Sequence, residues 1–541
     1  MHFQHASGGR EIAAAAVAAV LCAGAGAWAL AGPPDVPSAA ATRTFLRLRL
    51  AGVPASAPIA CFYARRGYAP AWSAGDALTP QAGELLAALA AAEGDGLRPD
   101  DYRAGELARR AAALRAPGEP AALADLDLAL TGASLGLAHD LAHGKVSPRE
   151  VYSDCALPEQ AIDLAGALER ALAGGSVGPT FAALAPVHRQ YVALRQALAR
   201  YRHAAPQAEP GLLPAGRALR TGDRSDRVAA LRARLTAAAA VELPDGTGGA
   251  SAGLPTDPEL LDAALAADVA RFQARHGLAA DGVVGVATRA ELERTAADRI
   301  RTLAVNLERW RWLAHDLGRR HILVNVAAFE LAAVEDGQAV LASRIIVGRP
   351  YRRTPVFSSA LSAVVLNPPW WVPEQIAREE VLPKGRRDPA YLAREGFDLL
   401  PDGRVRQRPG SRNALGPIKL TFPNRFDVYL HGTPAQALFG SRVRTFSHGC
   451  IRVEKPFELA LWALRGDPRW TAETVAARLA TGREATLPVR QPIPIHVTYW
   501  TAWVGEDGGL RFTPDVYGRD EPVARRLEAP APAAAASQPT L

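Results

Sequence analysis

Leu430-His431-Gly432-Thr433-Pro434, followed across a loop by Ser447-His448-Gly449-Cys450-Ile451-Arg452-Val453, is the stretch that decides how the rest of the chain reads. One short apolar run ends at His431 and another begins after Cys450, so the imidazole and the thiol are expected at the ends of neighbouring strands. A free thiol with a pKa near ~8.5 stays protonated at neutral pH unless a base or a positive field stands beside it. Adjacent strands can bring His431 within reach of the sulfur, which is what a cysteine nucleophile needs. His448 is nearer in sequence, but two residues along one strand share a face without meeting at one atom, so His431 is expected as the base and His448 as its support. Gly432 and Gly449 allow backbone to approach the reacting centre without a Cβ in the way. The amides around Gly449 and Cys450 are candidate donors to an oxyanion, and the Arg452 guanidinium suits a substrate carboxylate. A metal held by Cys450, His448 and His431 would need a fourth ligand and usually a second cysteine, so neither metal nor cofactor is expected.

Working outward, residues 322–329 and 339–347 flank a turn at Glu335-Asp336-Gly337, and 361–366 is a third strand stopped by Asn367-Pro368-Pro369. Alternation is lost over 373–412, a charged segment punctuated by Pro and Gly that holds a short helix at 374–381. As an insertion into a sheet it is expected to cap the cleft. Strands resume at 418–422, 428–431 and 451–453, a helix follows at 456–464, and 499–504 with 510–512 makes a last hairpin around Gly508-Gly509. Together these give a β-rich domain over 300–515. The polar, Ala- and Pro-rich tail over 516–541 is expected to be disordered.

Upstream the period is helical. Residues 45–202 carry one stripe of Leu85, Leu86, Leu89 and Ala92 and another of Leu130, Leu137 and Leu141, with Gly96 and Gly144 where helices stop. After a Pro- and Gly-rich break, residues 213–296 repeat apolar positions at Val228, Leu231 and Leu235, then at Leu261, Leu265, Val269 and Phe272, with a turn at Asp281-Gly282. This predicts a small helical bundle, and 541 residues are too many for one core. The net charge of +7 rests on arginines scattered among alanines, the lysines being only Lys145, Lys384, Lys419 and Lys455. Without a basic stripe interleaved with aromatics, no nucleic acid is expected as a partner.

The uncharged run over 12–31, rich in Ala, Val and Leu, reads as a signal peptide (1–31) or an uncleaved membrane anchor, with a linker at 32–44. Either way the bulk of the chain is expected to be exported, to the periplasm or cell envelope. There Cys61 and Cys155 can pair, or be separately buried; Cys450 is left as the odd thiol.

Ser447-His448-Gly449-Cys450-Ile451-Arg452, preceded by His431-Gly432, resembles the active-site signature of the L,D-transpeptidase family, the YkuD-type catalytic domain. Val269-Ala270-Arg271-Phe272-Gln273 through Gly277-Leu278, with Asp281-Gly282-Val283-Val284-Gly285, resembles the peptidoglycan-binding-domain-1 family. Tyr63, Arg65, Arg66, Pro70 and Trp72, the run Gly96-Leu97-Arg98-Pro99-Asp100-Asp101-Tyr102, and Leu141 to Pro148 resemble the scaffold domain of large L,D-transpeptidases. Asn367 to Pro373 resembles the strand end that precedes the lid, and the domain order is similar to the large YcbB-like class.

The resemblance implies a multidomain α+β chain: helical scaffold, small peptidoglycan-binding bundle, and β-rich catalytic domain with a capping insertion. It implies peptidoglycan stem peptides as partners and leaves room for cell-wall synthesis proteins. By it, Cys450 attacks a tetrapeptide stem, His431 is general base and acid, oriented by the Gly432 carbonyl, and Ser447 and His448 shape the pocket. Arg452 holds the substrate, and Trp371, with Gly432 and Gly449, is placed among the substrate contacts. A 3-3 cross-link follows if an amine resolves the thioester, and a carboxypeptidase results if water does. A wall-binding protein without catalysis is the third reading, and the intact thiol argues against it.

Overall fold

Why a chain so rich in alanine folds into distinct units is answered by where its few large side chains fall. The computed structural model describes residues 37–114, 118–158, 160–204, 211–244 and 257–530. The signal peptide or anchor expected over 1–31, and the tail beyond 530, lie outside the described residues. Two units emerge: residues up to 146 with 160–195 and from 525 onward, and residues 147–159 with 196–524.

In the first unit the helix Pro120–His143 is central, burying Leu123, Leu126, Leu130, Leu137 and Leu141 and ending at Gly144 with φ +92°. Its buried Asp127 accepts hydrogen bonds from the Ala71 amide (3.0 Å) and the Trp72 amide (2.8 Å), and from the Tyr63 hydroxyl. Thr131, one turn on, takes the Trp72 indole N–H at 2.9 Å. A carboxylate in this interior is tolerated because backbone amides and the Tyr63 hydroxyl donate to it. Part of the linker expected over 32–44 is instead helical: Pro37–Leu50 buries Leu46 and Leu50, as its run of good helix formers favours. A small hairpin, β1 (Ser73–Ala74) and β2 (Ala77–Leu78), completes this unit's regular structure.

The second unit opens with β3 (Cys155–Ala156), a segment expected to belong to the scaffold, which pairs in parallel with Val356 and Phe357 of the catalytic sheet. Cys155 is a free, buried thiol, so the Cys61–Cys155 pair does not form; its strand is committed to that sheet. Next comes the small bundle, Arg227–Glu242, Ala263–Arg275 and Val286–Leu292, closed over Val228, Leu231, Leu265, Val269 and Phe272. Gln273 explains the Phe-Gln…Asp-Gly pattern: its amide donates to Asp281, the Val283 carbonyl and Thr288, and accepts from the Gly282 amide at 2.9 Å. A Cβ on Gly282 would meet the Ala266 carbonyl at 2.9 Å, so glycine is required there.

After the helix Ala296–Arg311 come β4 (Arg320–Asn325), β5 (Glu330–Glu335), β6 (Gln338–Gly348) and β7 (Val356–Leu366). The strand expected over 322–329 therefore stops at Asn325, and a turn in which Phe329 takes φ +59° leads into β5, which the expected hairpin did not include. Then follow β8 (Trp370–Trp371), β9 (Phe397–Leu399), β10 (Val405–Gln407), β11 (Ile418–Thr421), β12 (Leu430–His431), β13 (Thr445–Ser447) and β14 (Ile451–Val453). The series ends with β15 (Ala485–Thr498), β16 (Ala502–Val504) and β17 (Leu510–Phe512). Neighbours run β11-β12-β14-β6-β5-β4-β15-β7, and β7 pairs back on β11, so the path closes on itself. Closure leaves no long exposed edge and fixes which residues meet at its rim.

The insertion after β7 has its own small core rather than irregular chain. β8, β10 and β9 form a sheet over Val372, Ile376, Val381, Phe397 and Val405, with the helical stretch Glu374 to Arg387 across it. Its root is fastened by the buried Asn413, whose amide donates to the carbonyls of Pro368 and Arg408, each at 3.0 Å. The tail expected to be disordered from 516 is ordered as far as it is described: Arg519 is buried with its guanidinium over the rings of Tyr152, Tyr499 and Tyr517, and the helix Asp520–Glu528 follows. A desolvated cation over aromatic faces holds what composition alone would leave free.

Candidate active site

β12 lies between β11 and β14, with Lys419 opposite His431 on one side and Arg452 opposite His431 on the other. Leu430 pairs with Ile451, so His431 sits one strand over and two registers along from Cys450, which immediately precedes β14. His431 is buried, and its Nδ1 is 2.6 Å from the Gly432 carbonyl. A carbonyl can only accept, so Nδ1 carries the hydrogen and Nε2 of the neutral ring is left with its lone pair. Burial first, then the nearby cations Arg452 and Lys419, push the imidazole down to about 3, against the opposing hydrogen bonds to Gly432 and Leu415. The ring is therefore neutral, the state in which a base can accept a proton.

Cys450 is half-buried, its sulfur 3.7 Å from the Asp427 carbonyl. Burial pushes the thiol up, while hydrogen bonds from the Tyr429 amide and hydroxyl and the fields of Lys419 and Arg452 pull it down. The loop that delivers it is rigid for a local reason. Buried Ser447 accepts from the Gly449 amide at 3.1 Å and donates to the Cys450 carbonyl at 2.6 Å. Gly449, at φ +120°, has its carbonyl held by the Thr354 hydroxyl at 2.8 Å. The Gly449 amide, expected as an oxyanion donor, is thus occupied by Ser447, because a buried hydroxyl between two backbone groups takes both.

The other expected residues separate into two groups. Arg452 is half-buried beside the sulfur, and its Nε is a buried donor with no partner among the described residues. Gly432 supplies its carbonyl to His431 and its amide to Ile418 at 2.9 Å, and so acts through the backbone. His448 does not face the sulfur through Nε2: that nitrogen is 2.6 Å from Glu380 on the insertion. Trp371 is 49% exposed, with Arg404 and Arg406 over its ring. Its neighbour Trp370 lies on the other face of β8, as strand alternation demands, is half-buried, and acts to lower the pKa of Tyr429.

Sequence reasoning missed Lys419, Tyr429, Trp370 and Glu380. Two of these carried a signal: Tyr429 is two residues before His431 and shares its face of the strand, and Lys419 is one of four lysines, set in an apolar run.

A closed β-rich domain, a cysteine and a neutral histidine on adjacent strand ends, and an inserted cap define the L,D-transpeptidase type of catalytic domain. Residues 319–471 match the family model described as the L,D-transpeptidase catalytic domain, of the YkuD type. Residues 57–198 match the "Scaffold domain" and residues 224–292 the "Putative peptidoglycan binding domain". Scaffold, peptidoglycan-binding and L,D-transpeptidase catalytic domains are thus all matched along the one chain. The chain is 36% identical over 241 residues to a Haemophilus influenzae protein named "Putative L,D-transpeptidase", covering 41% of this chain and 48% of that one. The chain thus matches about half the length of this curated relative. The crystal structure of an L,D-transpeptidase from Xylanimonas cellulosilytica is 17% identical and covers 52% of this chain and 98% of that one at a TM-score of 0.17, too low to carry any argument.

Proposed function

We propose that the protein is an exported L,D-transpeptidase that forms 3-3 cross-links in peptidoglycan, or joins other amines to it, through a thioester on Cys450. The observation that supports this most is the neutral His431, fixed by Gly432 on the strand beside the one that Cys450 opens. The thiol proton passes to His431 Nε2 and the sulfur bonds to the carbonyl carbon of the third stem residue. The oxyanion is met by the amide of Cys450 itself; losing such a donor costs about 3 kcal/mol of barrier. His431 returns the proton to the departing terminal amine, the carbon–nitrogen bond breaks, and the thioester remains. An acceptor amine then attacks the thioester, losing its proton to His431, and the thiol is restored.

The unpartnered Nε of Arg452 supports a role in holding a substrate carboxylate. The peptidoglycan-binding domain supports peptidoglycan as the partner, and both domains suit an envelope location. Purified protein incubated with tetrapeptide muropeptides should yield cross-linked dimer by mass. Free tripeptide in its place would make the protein a carboxypeptidase, and no product from either wild type or Cys450→Ala would end the enzyme reading.

A further inference from the structure

Lys419 stands out among the groups around Cys450. It lies on β11 as the strand partner of His431, half-buried, and among the described residues no carboxylate lies within ion-pair distance of it. A cation taken out of water without a counter-ion is costly, so something else must stabilise it. Its Nζ lies 3.9 Å from the centroid of the Tyr429 ring. Tyr429 directly precedes Leu430, the strand partner of Ile451, and its carbonyl accepts from the Ile451 amide at 3.2 Å, so it stands beside Cys450 across the two strands. Ammonium, aromatic ring and thiol therefore lie side by side across three neighbouring strands.

We propose that Lys419 is a positioning residue that acts through Tyr429: its ammonium seats the ring so that the phenol donates to the Cys450 sulfur and favours the thiolate. A cation on the face of a phenol draws electron density from the ring and strengthens the O–H as a donor. Burial, and then the charge of Cys450, keep that phenol protonated and able to donate. The other titratable groups near it are Arg452 on β14, whose field reaches the sulfur and on which Arg349 acts, and His431 on β12, held neutral. Glu484 is the acidic group whose field reaches Lys419. Arg452 is free to serve the substrate only if another cation supports the thiolate, and Lys419 is the one placed to do so. This inference deepens the reading of Cys450 as the nucleophile.

The test is the pH dependence of Cys450 alkylation by iodoacetamide, in which sulfur displaces iodide and no stem peptide is involved, so it can fail separately from transpeptidation. Peptide mapping distinguishes Cys450 from the buried Cys155. Lys419→Met should raise the midpoint of the alkylation profile by about one unit and slow alkylation at pH 7 about tenfold. Lys419→Arg should keep the wild-type midpoint. Tyr429→Phe should raise it, and adding Lys419→Met to Tyr429→Phe should change little more. A wild-type midpoint in Lys419→Met, or full additivity of the two changes, would overturn the proposal. If Lys419→Met does not fold, an unshifted midpoint in Tyr429→Phe overturns it equally.

Discussion

His448 Nε2 and Glu380 Oε1 are 2.6 Å apart, which ties the residue two before Cys450 to the helical stretch of the cap. The preceding lid residue, Glu379, meets Arg352 at 2.6 Å on the loop after β6. The cap is therefore fastened near the thiol by two polar side-chain contacts on consecutive residues, and at its root by Asn413. Each contact is partly exposed and therefore weak, enough to hold a closed cap and little enough to release it. Glu379→Ala with Glu380→Ala should raise hydrogen exchange over 374–387 several-fold and leave β9 and β10 protected. Unchanged exchange there would mean that the cap's core and Asn413 hold it unaided.

Ser447 is expected to act on loop geometry rather than on substrate. Ser447→Ala removes a hydroxyl that serves the Gly449 amide and the Cys450 carbonyl and leaves both buried groups without it. The cost should be about 1–3 kcal/mol of stability, together with a fall in acylation rate. Thermal unfolding and the yield of cross-linked dimer from tetrapeptide muropeptides would check both. A variant with wild-type stability and a raised substrate KM alone would instead assign Ser447 to substrate contact.

The depressed basicity of His431 makes a signed prediction. Its folded-state pKa of about 3 lies below the ordinary value of 6.5, so between those values the unfolded chain binds the extra proton. The stability contributed by the neutral ring is full above pH 6.5 and is lost as pH falls toward 3. Over the first 1.5 units, down to pH 5, that loss is about 2 kcal/mol at 1.36 kcal/mol per unit. The stability advantage of wild type over His431→Gln should therefore narrow between pH 7 and pH 5, as read by scanning calorimetry. A constant difference would show that the ring is not held neutral.

What the sequence disclosed follows from what is periodic. The His431 and Cys450 strands were legible because apolar runs end at functional residues, and the helix expected at 456–464 is found as Pro456–Leu464. β15 was not legible: Pro488, Pro492 and Pro494 read as breakers, yet it pairs with β7 on both sides of a register shift between Pro488 and Ile493. The ordered tail was hidden because its anchor is a single buried arginine whose tyrosine partners lie far apart in sequence. The Glu380–His448 contact joins residues 68 apart across the insertion, a distance that no local pattern encodes.

The tryptophan pair gives the last prediction, and it reverses the expectation for Trp371. Both residues lie on β8, but Trp370 is half-buried and bears on the Tyr429 phenol, whereas Trp371 is 49% exposed beneath Arg404 and Arg406. Removing the indole N–H with Trp370→Phe takes away the donor nearest the phenol, and losing one polar interaction of this kind costs about 1 kcal/mol. Acylation of Cys450 should then slow about five-fold. Trp371→Ala should leave the rate of acylation near wild type, because its ring meets guanidiniums rather than the sulfur's neighbours. Equal losses in the two variants would mean that both rings meet the substrate, and a loss confined to Trp371→Ala would restore it as the contact residue.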